Sequence, residues 1–191
     1  MKKNVVLKAI FVFLFGLSLS VGANAQLFSK GDKVINLGIG VPSYLGGSGY
    51  ETKIPLVSGS FDYGLLDGLL EGKASIGVGG YLGYTSNRFN IKYTGGNYGY
   101  DFSYLIIGPR ASFHYNPIDK LDTYGGLLLG YNIVSSSTYG RADQYVKPDN
   151  ESRFTPALYV GARYYFVDNI AVFAEVGYGI SLIEVGISFK F

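Results

Sequence analysis

The sequence predicts an all-β fold, an eight-stranded antiparallel up-and-down transmembrane β-barrel. Three observations predict it: apolar and polar residues alternate along short segments, the polar positions carry few charges, and short connections alternate with long ones. Charged residues make up 16% of the chain, against about 25% in a typical soluble domain. The 28 Gly and 18 Tyr disfavour long helices and favour strands separated by turns. The chain has no Cys, so the fold must hold without disulfides.

Residues 1–25 have the pattern of a secretory signal peptide. Three Lys residues precede an apolar run over 9–21, which ends before the small-residue site Ala23-Asn24-Ala25. We expect cleavage after Ala25, which leaves one barrel domain over 26–191. The alternative of a membrane-anchoring helix is disfavoured, because such a helix needs about 20 apolar residues. Loss of the three Lys changes the formal charge from +2 to −1, so a surface for nucleic acid is not predicted.

The first four strands follow from residue parity, because alternate side chains of a strand face opposite sides of a sheet. In each strand, apolar residues occupy one parity, while the other parity is mostly Gly, Ser, Asn or a charged residue. The apolar positions, strand by strand, are Ile35, Leu37, Ile39 and Val41; Val57, Phe61 and Tyr63; Ile76, Val78, Leu82 and Tyr84; and Leu105, Ile107, Ala111, Phe113 and Tyr115.

The last four strands continue the alternation up to the final residue. Gly179-Ile180 joins the last two, and Gly suits the first position of a type II′ hairpin turn. The apolar positions are Leu127, Leu129, Tyr131 and Ile133; Leu158, Val160, Ala162, Tyr164 and Phe166; Ile170, Val172, Ala174, Val176 and Tyr178; and Ile183, Val185, Ile187, Phe189 and Phe191.

The connections also alternate, as they do in outer-membrane barrels with long loops at one end and tight turns at the other. The odd connections lie near 42–53, 87–97, 138–153 and 179–181, and the even ones near 65–73, 116–121 and 167–169. The 65–73 connection is unusually apolar for a tight turn. Asp67-Gly68 could form a hairpin turn there with the flanking leucines continuing the strands, and the sequence leaves this open.

Alternation alone does not say which face is outside, since a soluble barrel with an apolar interior alternates as well. The residues at the polar positions show which face is outside. The exterior of a soluble barrel should be dense in Lys and Glu, whereas the polar positions here are mostly Gly, Ser, Asn and Tyr. A cationic side chain facing lipid at the midplane would cost about 2–4 kcal/mol. All mid-strand charges fall on the polar parity. They predict a lumen charge network of Asp62, Arg110, Arg163, Glu175, Glu184 and Lys190.

The predicted network holds three positive and three negative residues. The hairpin at Gly179-Ile180 places Glu175 opposite Glu184, and the preceding turn places Arg163 near Glu175. We therefore expect Arg163, Glu175 and Glu184 to cluster, with Arg110 reaching across the lumen. Buried charges are tolerated when they are paired. The set either fills and solvates the interior or forms a gate or binding site.

The closing strand carries a family resemblance. Its alternating residues Ile183, Val185, Ile187, Phe189 and Phe191 end on an aromatic, and Gly108-Pro109-Arg110-Ala111-Ser112-Phe113 adds a weaker likeness. Over 26–191 the chain resembles the small outer-membrane β-barrel family, of the kind containing the OmpA transmembrane domain and OmpX-like proteins, and most of all its Bacteroidetes-type variants. The resemblance implies a Gram-negative outer-membrane location and recognition of the last strand by the barrel-assembly machinery. With no Trp, Tyr and Phe must form the aromatic girdles.

We expect a non-enzymatic membrane barrel with a role in the envelope or in surface contact. His114 is the one His of the chain and lies beside a turn, so a catalytic or metal site is not predicted, nor is a cofactor. The alternative is a narrow porin-like channel or transport protein, although an eight-stranded lumen is packed with side chains. The expected partners are the lipid bilayer, the assembly machinery and an unidentified extracellular ligand, with the barrel a monomer. A Tyr-rich extracellular rim is predicted at Tyr93, Tyr98, Tyr100, Tyr139 and Tyr145.

Overall fold

A computed structural model describes residues 27–43, 50–93, 96–139 and 151–191. They form eight strands, each antiparallel to its neighbours, in a closed barrel of order β1 to β8. A four-residue turn with left-handed residues, labelled α1, follows β2. The elements are β1 Lys33–Pro42, β2 Tyr50–Gly68, α1 Leu69–Gly72, β3 Ala74–Tyr93, β4 Gly96–Ile118, β5 Leu121–Tyr139, β6 Arg153–Val167, β7 Ile170–Tyr178 and β8 Ser181–Lys190. The predicted fold class is confirmed, while the expected signal peptide over 1–25 lies outside the described residues.

The barrel wall is uneven in height. Strands β2 to β5 are 19 to 23 residues long, whereas β1, β7 and β8 have 9 or 10. The connections 69–73, 119–120 and 168–169 lie together at one end, here named the short-turn end. At the opposite end β2 to β5 continue past their shorter neighbours and form the extended wall. The last pairs between these long strands and the short ones are Gly40 with Leu56 and Asn132 with Arg153.

The outer surface is an apolar belt. In β1, for example, Leu37 and Ile39 are 55% and 58% exposed, whereas Asn36 between them and the lumen is 2% exposed. The same alternation recurs around the barrel, so the apolar parity faces outward as predicted. A soluble protein rarely exposes apolar patches of more than a few hundred Å², so lipid is the solvent that suits this belt. No helix within the described ranges is long and apolar enough to cross a membrane.

The β2–β3 connection differs from the hairpin that Asp67-Gly68 suggested. Strand β2 runs on through both residues to Gly68, and the chain reverses over α1 before β3 starts at Ala74. Gly68 and Gly72 have φ of 73° and 85°, in the left-handed region that glycine adopts without strain. At the β7–β8 connection, Gly179 has φ 108°, in keeping with the predicted hairpin turn at Gly179-Ile180.

Candidate functional site: the barrel lumen

The centre of the lumen is an ionic layer built on Arg163 of β6. This side chain is fully buried. Its Nη1 lies 3.2 Å from Asp122 Oδ2 and its Nε donates to Asn36 Oδ1 at 3.2 Å. Its Nη2 is paired with Asp62, and its guanidinium lies 4.3 Å from the centre of the Tyr124 ring. One guanidinium thus joins strands β1, β2, β5 and β6 across the lumen.

Arg110 of β4 extends the ionic layer towards β7. Its Nε lies 3.1 Å from Asp62 Oδ1 and its Nη2 lies 3.1 Å from Glu175 Oε1. Nη1 donates to Ser60 Oγ at 3.1 Å, and the guanidinium stacks 4.2 Å from the Tyr159 ring centre. Asp62 therefore binds both Arg110 and Arg163. Buried charges of this kind are stable only when such partners satisfy them.

The two glutamates lie directly opposite each other, as the hairpin register predicted. Glu175 accepts hydrogen bonds from Arg110 and from Tyr124 Oη, the latter at 2.9 Å. Glu184 accepts from Ser58 Oγ and from Tyr81 Oη at 3.1 Å. The first glutamate thus belongs to the ionic layer, while the second is held by hydroxyl groups.

The predicted cluster of Arg163, Glu175 and Glu184 is wrong. In the β6–β7 pair it is Gly161 that lies opposite Glu175, and Arg163 lies opposite Phe173. The long guanidinium side chain reaches across the lumen to Asp62 and along the wall to Asp122 instead. Strand register fixes neighbours on the wall, but it does not fix contacts across the barrel.

The membership of the network also needs two corrections. Lys190 lies at the short-turn end, where Nζ donates to Leu27 O at 3.2 Å and faces the Tyr165 ring. Asp122 is an ion-pair partner that the sequence argument left out, although its even number shares the inward parity of Asn132 in β5. In the described lumen, four buried carboxylates therefore face two guanidinium groups, and the expected balance of three against three does not hold.

Beside Asp122 lies a hydrogen-bonded chain of Ser112, His114 and Asp122. Ser112 Oγ is 2.9 Å from His114 Nε2, and His114 Nδ1 is 3.0 Å from Asp122 Oδ2. The order of groups is that of a serine-hydrolase triad. However, Ser112 and His114 are buried, and the Phe28 ring stacks on the imidazole at 4.0 Å. In this conformation the described residues cover Ser112, and Asp122 is shared with Arg163.

The segment before β1 closes the short-turn end of the lumen. Phe28 is fully buried, and its carbonyl accepts from Ser75 Oγ at 2.6 Å. The backbone N–H of Lys30 donates to Asp67 Oδ2 at 3.0 Å, and that of Gly31 donates to Gly64 O at 2.9 Å. We call residues 27–32 the N-terminal plug. Sequence parity could not find it, because the plug is not a strand.

The opposite end of the lumen is filled by apolar side chains. Ile180, in the β7–β8 turn, is 2% exposed and points inward. A Cβ added to Gly130 would lie 2.7 Å from Ile180 Cδ1, which shows how closely the turn packs on β5. The buried cluster consists of Leu56, Tyr81, Ile106, Tyr124, Leu128, Ala157, Tyr159 and Ile180. The three tyrosines of this cluster contact buried charged groups of the lumen, and its aliphatic members form the apolar cap: Leu56, Ile106, Leu128, Ala157 and Ile180. The lumen thus has three layers: the N-terminal plug with His114, the ionic layer, and this apolar cap.

The outer face of the extended wall carries a separate ion cluster. Asp101 accepts from Arg88 Nε and Nη2 at 2.7 and 2.8 Å and from Lys53 Nζ at 2.8 Å. These hydrogen bonds, above all the one from Arg88, hold the pKa of the Asp101 carboxyl well below its usual range. Arg88 also lies 4.4 Å from the Tyr139 ring centre, and Tyr139 Oη donates to Asn90. Strand alternation places this cluster about 10 Å beyond Leu105, above the apolar belt.

Two of the predicted rim tyrosines are described with their side chains. Tyr139 belongs to the outer ion cluster, and Tyr100 contacts Phe102 with ring centres 6.3 Å apart. Tyr100 precedes the outward Asp101, so it faces the lumen side of the wall. The two are therefore on opposite faces. Tyr145 and the side chains of Tyr93 and Tyr98 lie outside the described residues. Among the side chains that are described, no three His, Asp or Glu lie close enough to hold a metal ion.

Comparison with known proteins shows which solved structures share the fold. No protein-family model and no curated protein matches the sequence. The outer-membrane protein OprG of Pseudomonas aeruginosa superposes with a TM-score of 0.63 at 13% identity, over 87% of this chain and 99% of OprG. Ail, the attachment invasion locus protein of Yersinia pestis, was crystallised with the heparin analogue sucrose octasulfate. It superposes with a TM-score of 0.51 at 14% identity, over 85% of this chain and 99% of Ail. The chain therefore has the fold of small outer-membrane β-barrels.

Proposed function

We propose that this chain is a sealed, non-enzymatic barrel of the outer membrane that supports the envelope and presents its extended wall to the outside. The observation that carries the proposal is the filled lumen. An N-terminal plug, an ionic layer and an apolar cap follow one another between the two ends. Eight-stranded barrels have interiors just wide enough for side chains to fill. We infer that the described side chains use that space for stability and block a wide aqueous path, with a small cavity left beside Arg110, Glu175 and Glu184.

The closing strand supports the location and the route of assembly. Residues Ile183, Val185 and Ile187 of β8 are about half exposed on the outer face, and the last residue, Phe191, is 73% exposed. Strand β8 pairs with both β7 and β1. It therefore completes the barrel, so a signal on this strand lets the assembly machinery act at closure. Signal-peptide removal after Ala25 is part of the same proposal.

The extended wall supports a role in surface contact. Strand β4 has 23 residues, which at about 3.3 Å per residue and about 45° tilt rise more than 50 Å. The apolar belt of such barrels is only about 25 Å tall. The wall therefore projects into the exterior, where aromatic residues such as Tyr100 and Tyr139 suit protein contacts. Ligands of this wall would be extracellular.

Liposome swelling and planar-bilayer conductance test the sealed lumen. We expect purified protein in liposomes to give no swelling in arabinose or sucrose, and no stable conductance steps in bilayers. Heat-modifiable gel migration and co-flotation with the vesicles would show that the barrel is inserted in the same samples. Swelling in sugar by inserted protein would overturn the proposal and favour the porin-like alternative.

Binding of intact cells tests the surface role separately. Cells that carry the wild type are compared with cells that carry Tyr100→Ser/Tyr139→Ser and with cells that lack the protein. We expect the wild type to raise adhesion to immobilised matrix proteins at least two-fold over cells without it, and the double variant to lose that gain. A matched control, Tyr164→Ser at the short-turn end of β6, should retain it. Equal adhesion by all four strains would remove the contact role and leave the envelope role.

A further inference from the structure

The end of β2 and the connection that follows it expose four leucines at the short-turn end. Leu65 and Leu66 are 43% and 48% exposed, and Leu69 and Leu70 are 37% and 63% exposed. We call residues 65–70 the leucine turn. The other two connections at this end, 119–120 and 168–169, consist of Asp, Lys and Asn. The barrel therefore has one apolar projection beside two polar turns.

Strand registers place the leucine turn against the lower edge of the apolar belt. The shear of the barrel is ten residues: a path from paired residue to paired residue around all eight strands comes back to β1 ten residues further along. With a tilt of about 40°, each residue then advances about 2.5 Å along the barrel axis. By the same geometry, the positions of Leu65 and Leu66 along the barrel axis are within about 3 Å of those of Phe166 and Phe191. Leu69 and Leu70 lie about 5–10 Å further from the membrane midplane.

The backbone of the turn is strained at two residues and is closed by its own contacts. Leu70 and Glu71 have φ of 48° and 60°, a left-handed conformation that favours Gly or Asn and strains other residues. The turn is closed by Lys73 N donating to Leu70 O at 3.3 Å and by a bridge between Leu69 and Ala74. Leu70 is thus a strained residue with a largely exposed apolar side chain. Strain of this kind persists where the surrounding structure holds it, and it is common at functional segments.

Three charged residues lie within or directly after the leucine turn: Asp67, Glu71 and Lys73. The Asp67 carboxylate accepts from the backbone of Lys30, so it is held against the N-terminal plug. Glu71 is exposed and Lys73 half-buried at the end of the turn. Long or charged side chains at the edge of an apolar surface can reach the headgroup region while the apolar side chains enter the acyl boundary.

We propose that the leucine turn inserts into the periplasmic leaflet of the membrane, as a local downward extension of the lipid-facing belt. The occupant of this surface is lipid, because a register shift between Gly64 and Leu66 leaves both Leu65 and Leu66 exposed directly below the belt of Phe61 and Tyr63. The inference rests on the proposed membrane location of the barrel. It makes the lower hydrophobic boundary asymmetric: deeper at β2–β3 than at β6–β7.

Single-tryptophan variants test the proposal cleanly, because the chain has no Trp. Leu66→Trp and Leu70→Trp report on the leucine turn. Val172→Trp in the belt is the lipid-facing control, and Asp168→Trp in a polar turn of the same end is the water-facing control. Each variant is reconstituted in phosphatidylcholine vesicles with and without lipids brominated near the headgroup end of the acyl chain. Only samples with heat-modifiable gel migration are compared.

We expect brominated lipid to reduce the emission of Leu66→Trp and Leu70→Trp at least two-fold, and to leave Asp168→Trp unchanged. Emission like that of Asp168→Trp, red-shifted and quenched by acrylamide, would overturn the inference. Blue-shifted emission that brominated lipid leaves unchanged would show packing on protein and would overturn it too. An unquenched Val172→Trp would instead contradict membrane insertion itself, which separates failure of the proposed function from failure of the leucine turn.

A thiol assay gives a second readout if a Trp variant does not fold. The chain has no Cys, so Leu70→Cys and Asp168→Cys each carry a single thiol. The vesicles are permeabilised so that a membrane-impermeant maleimide reaches both sides of the membrane. Under these conditions we expect the thiol of Leu70→Cys to react at least five-fold more slowly than that of Asp168→Cys. Equal labelling rates would overturn the inference.

Discussion

At the scale of single residues, Arg163 is the group on which the ionic layer depends. It is fully buried and contacts Asp62, Asp122 and Asn36 on three other strands. Removing one member of a buried ion pair leaves the partner charge uncompensated, which typically costs about 3–5 kcal/mol. Arg163→Ala should therefore lower the free energy of unfolding by that amount. Urea titration of the folded barrel in vesicles, followed by gel migration, measures it.

Two further variants separate the charge from the packing. Arg153, exposed at the start of β6, is the matched control, and Arg153→Ala should change stability by less than about 0.5 kcal/mol. Adding Asp122→Asn to Arg163→Ala removes the carboxylate that loses its guanidinium partner, whereas Asp62 keeps Arg110, so stability should recover in part. No recovery would mean that lost packing against Tyr124, and not the buried charge, causes the destabilisation.

Asp101 illustrates the opposite case, an ion cluster near solvent. Exposed pairs contribute about 0–1 kcal/mol, so Asp101→Asn should leave global stability almost unchanged while loosening the extended wall. The lowered pKa of Asp101 fixes the sign of the pH effect. A carboxyl with a depressed folded-state pKa stabilises above its ordinary value of 3.8 and loses that contribution as pH falls below it.

Amide hydrogen exchange in strands β3 and β4 measures this local effect. After correction for the intrinsic exchange rate, protection at 99–103 should stay flat from pH 8 to pH 5 and fall below about pH 4. In Asp101→Asn the protection should be lower at neutral pH and lack this step. A step near pH 6 would instead point to a different titrating group.

At the scale of elements, the N-terminal plug is the part that closes the short-turn end. Phe28 covers His114, which is the single His of the chain. Phe28→Ala opens a cavity at a buried site, which typically costs about 3–5 kcal/mol, and it uncovers the imidazole. We expect diethyl pyrocarbonate to modify His114 at least ten-fold faster in Phe28→Ala than in the wild type. Tandem mass spectrometry of peptides from an untagged protein locates the carbethoxy group on His114 and separates it from groups on Lys or Tyr.

A control variant distinguishes local uncovering from general loosening. Ile180→Ala removes a buried side chain at the other end of the lumen, so it should weaken the apolar cap without exposing His114. Fast modification of His114 in both variants would show that the whole barrel had become dynamic. Slow modification in both would show that the plug does not shield the imidazole.

The strands themselves were predictable because parity is a local signal with a period of two. Each apolar position of β1, β7 and β8 follows from its neighbours two residues away, and the hairpin at Gly179 fixes the pairing of Glu175 with Glu184. The β2–β3 connection was not predictable in detail. Leu70 and Glu71 adopt φ values that their side chains do not favour, so local preference points away from the observed turn.

At the scale of the whole molecule, residue parity along the strands does not predict which side chains meet across the lumen. Arg163 meets Asp62 over 101 positions of sequence separation, and that contact depends on the barrel stagger as well as on the length of the side chain. Asp122 could have been found by extending the inward parity of β5 back towards its first residue. The N-terminal plug could not, since its contacts run through backbone groups of a segment without strand periodicity.

The orientation of the barrel in the cell envelope is a property of the molecule as a whole. If the extended wall faces outward, Arg153 at the wall end is exposed to added protease, while Lys120 in the β4–β5 turn faces the periplasm. Trypsin added to intact cells should therefore cleave after the exposed Arg153 and leave Lys120 intact. Permeabilised cells should show cleavage after Lys120 as well, which Lys120→Ala abolishes. Fragment masses report both sites, and cleavage after Lys120 on intact cells would mean that the short-turn end faces outward.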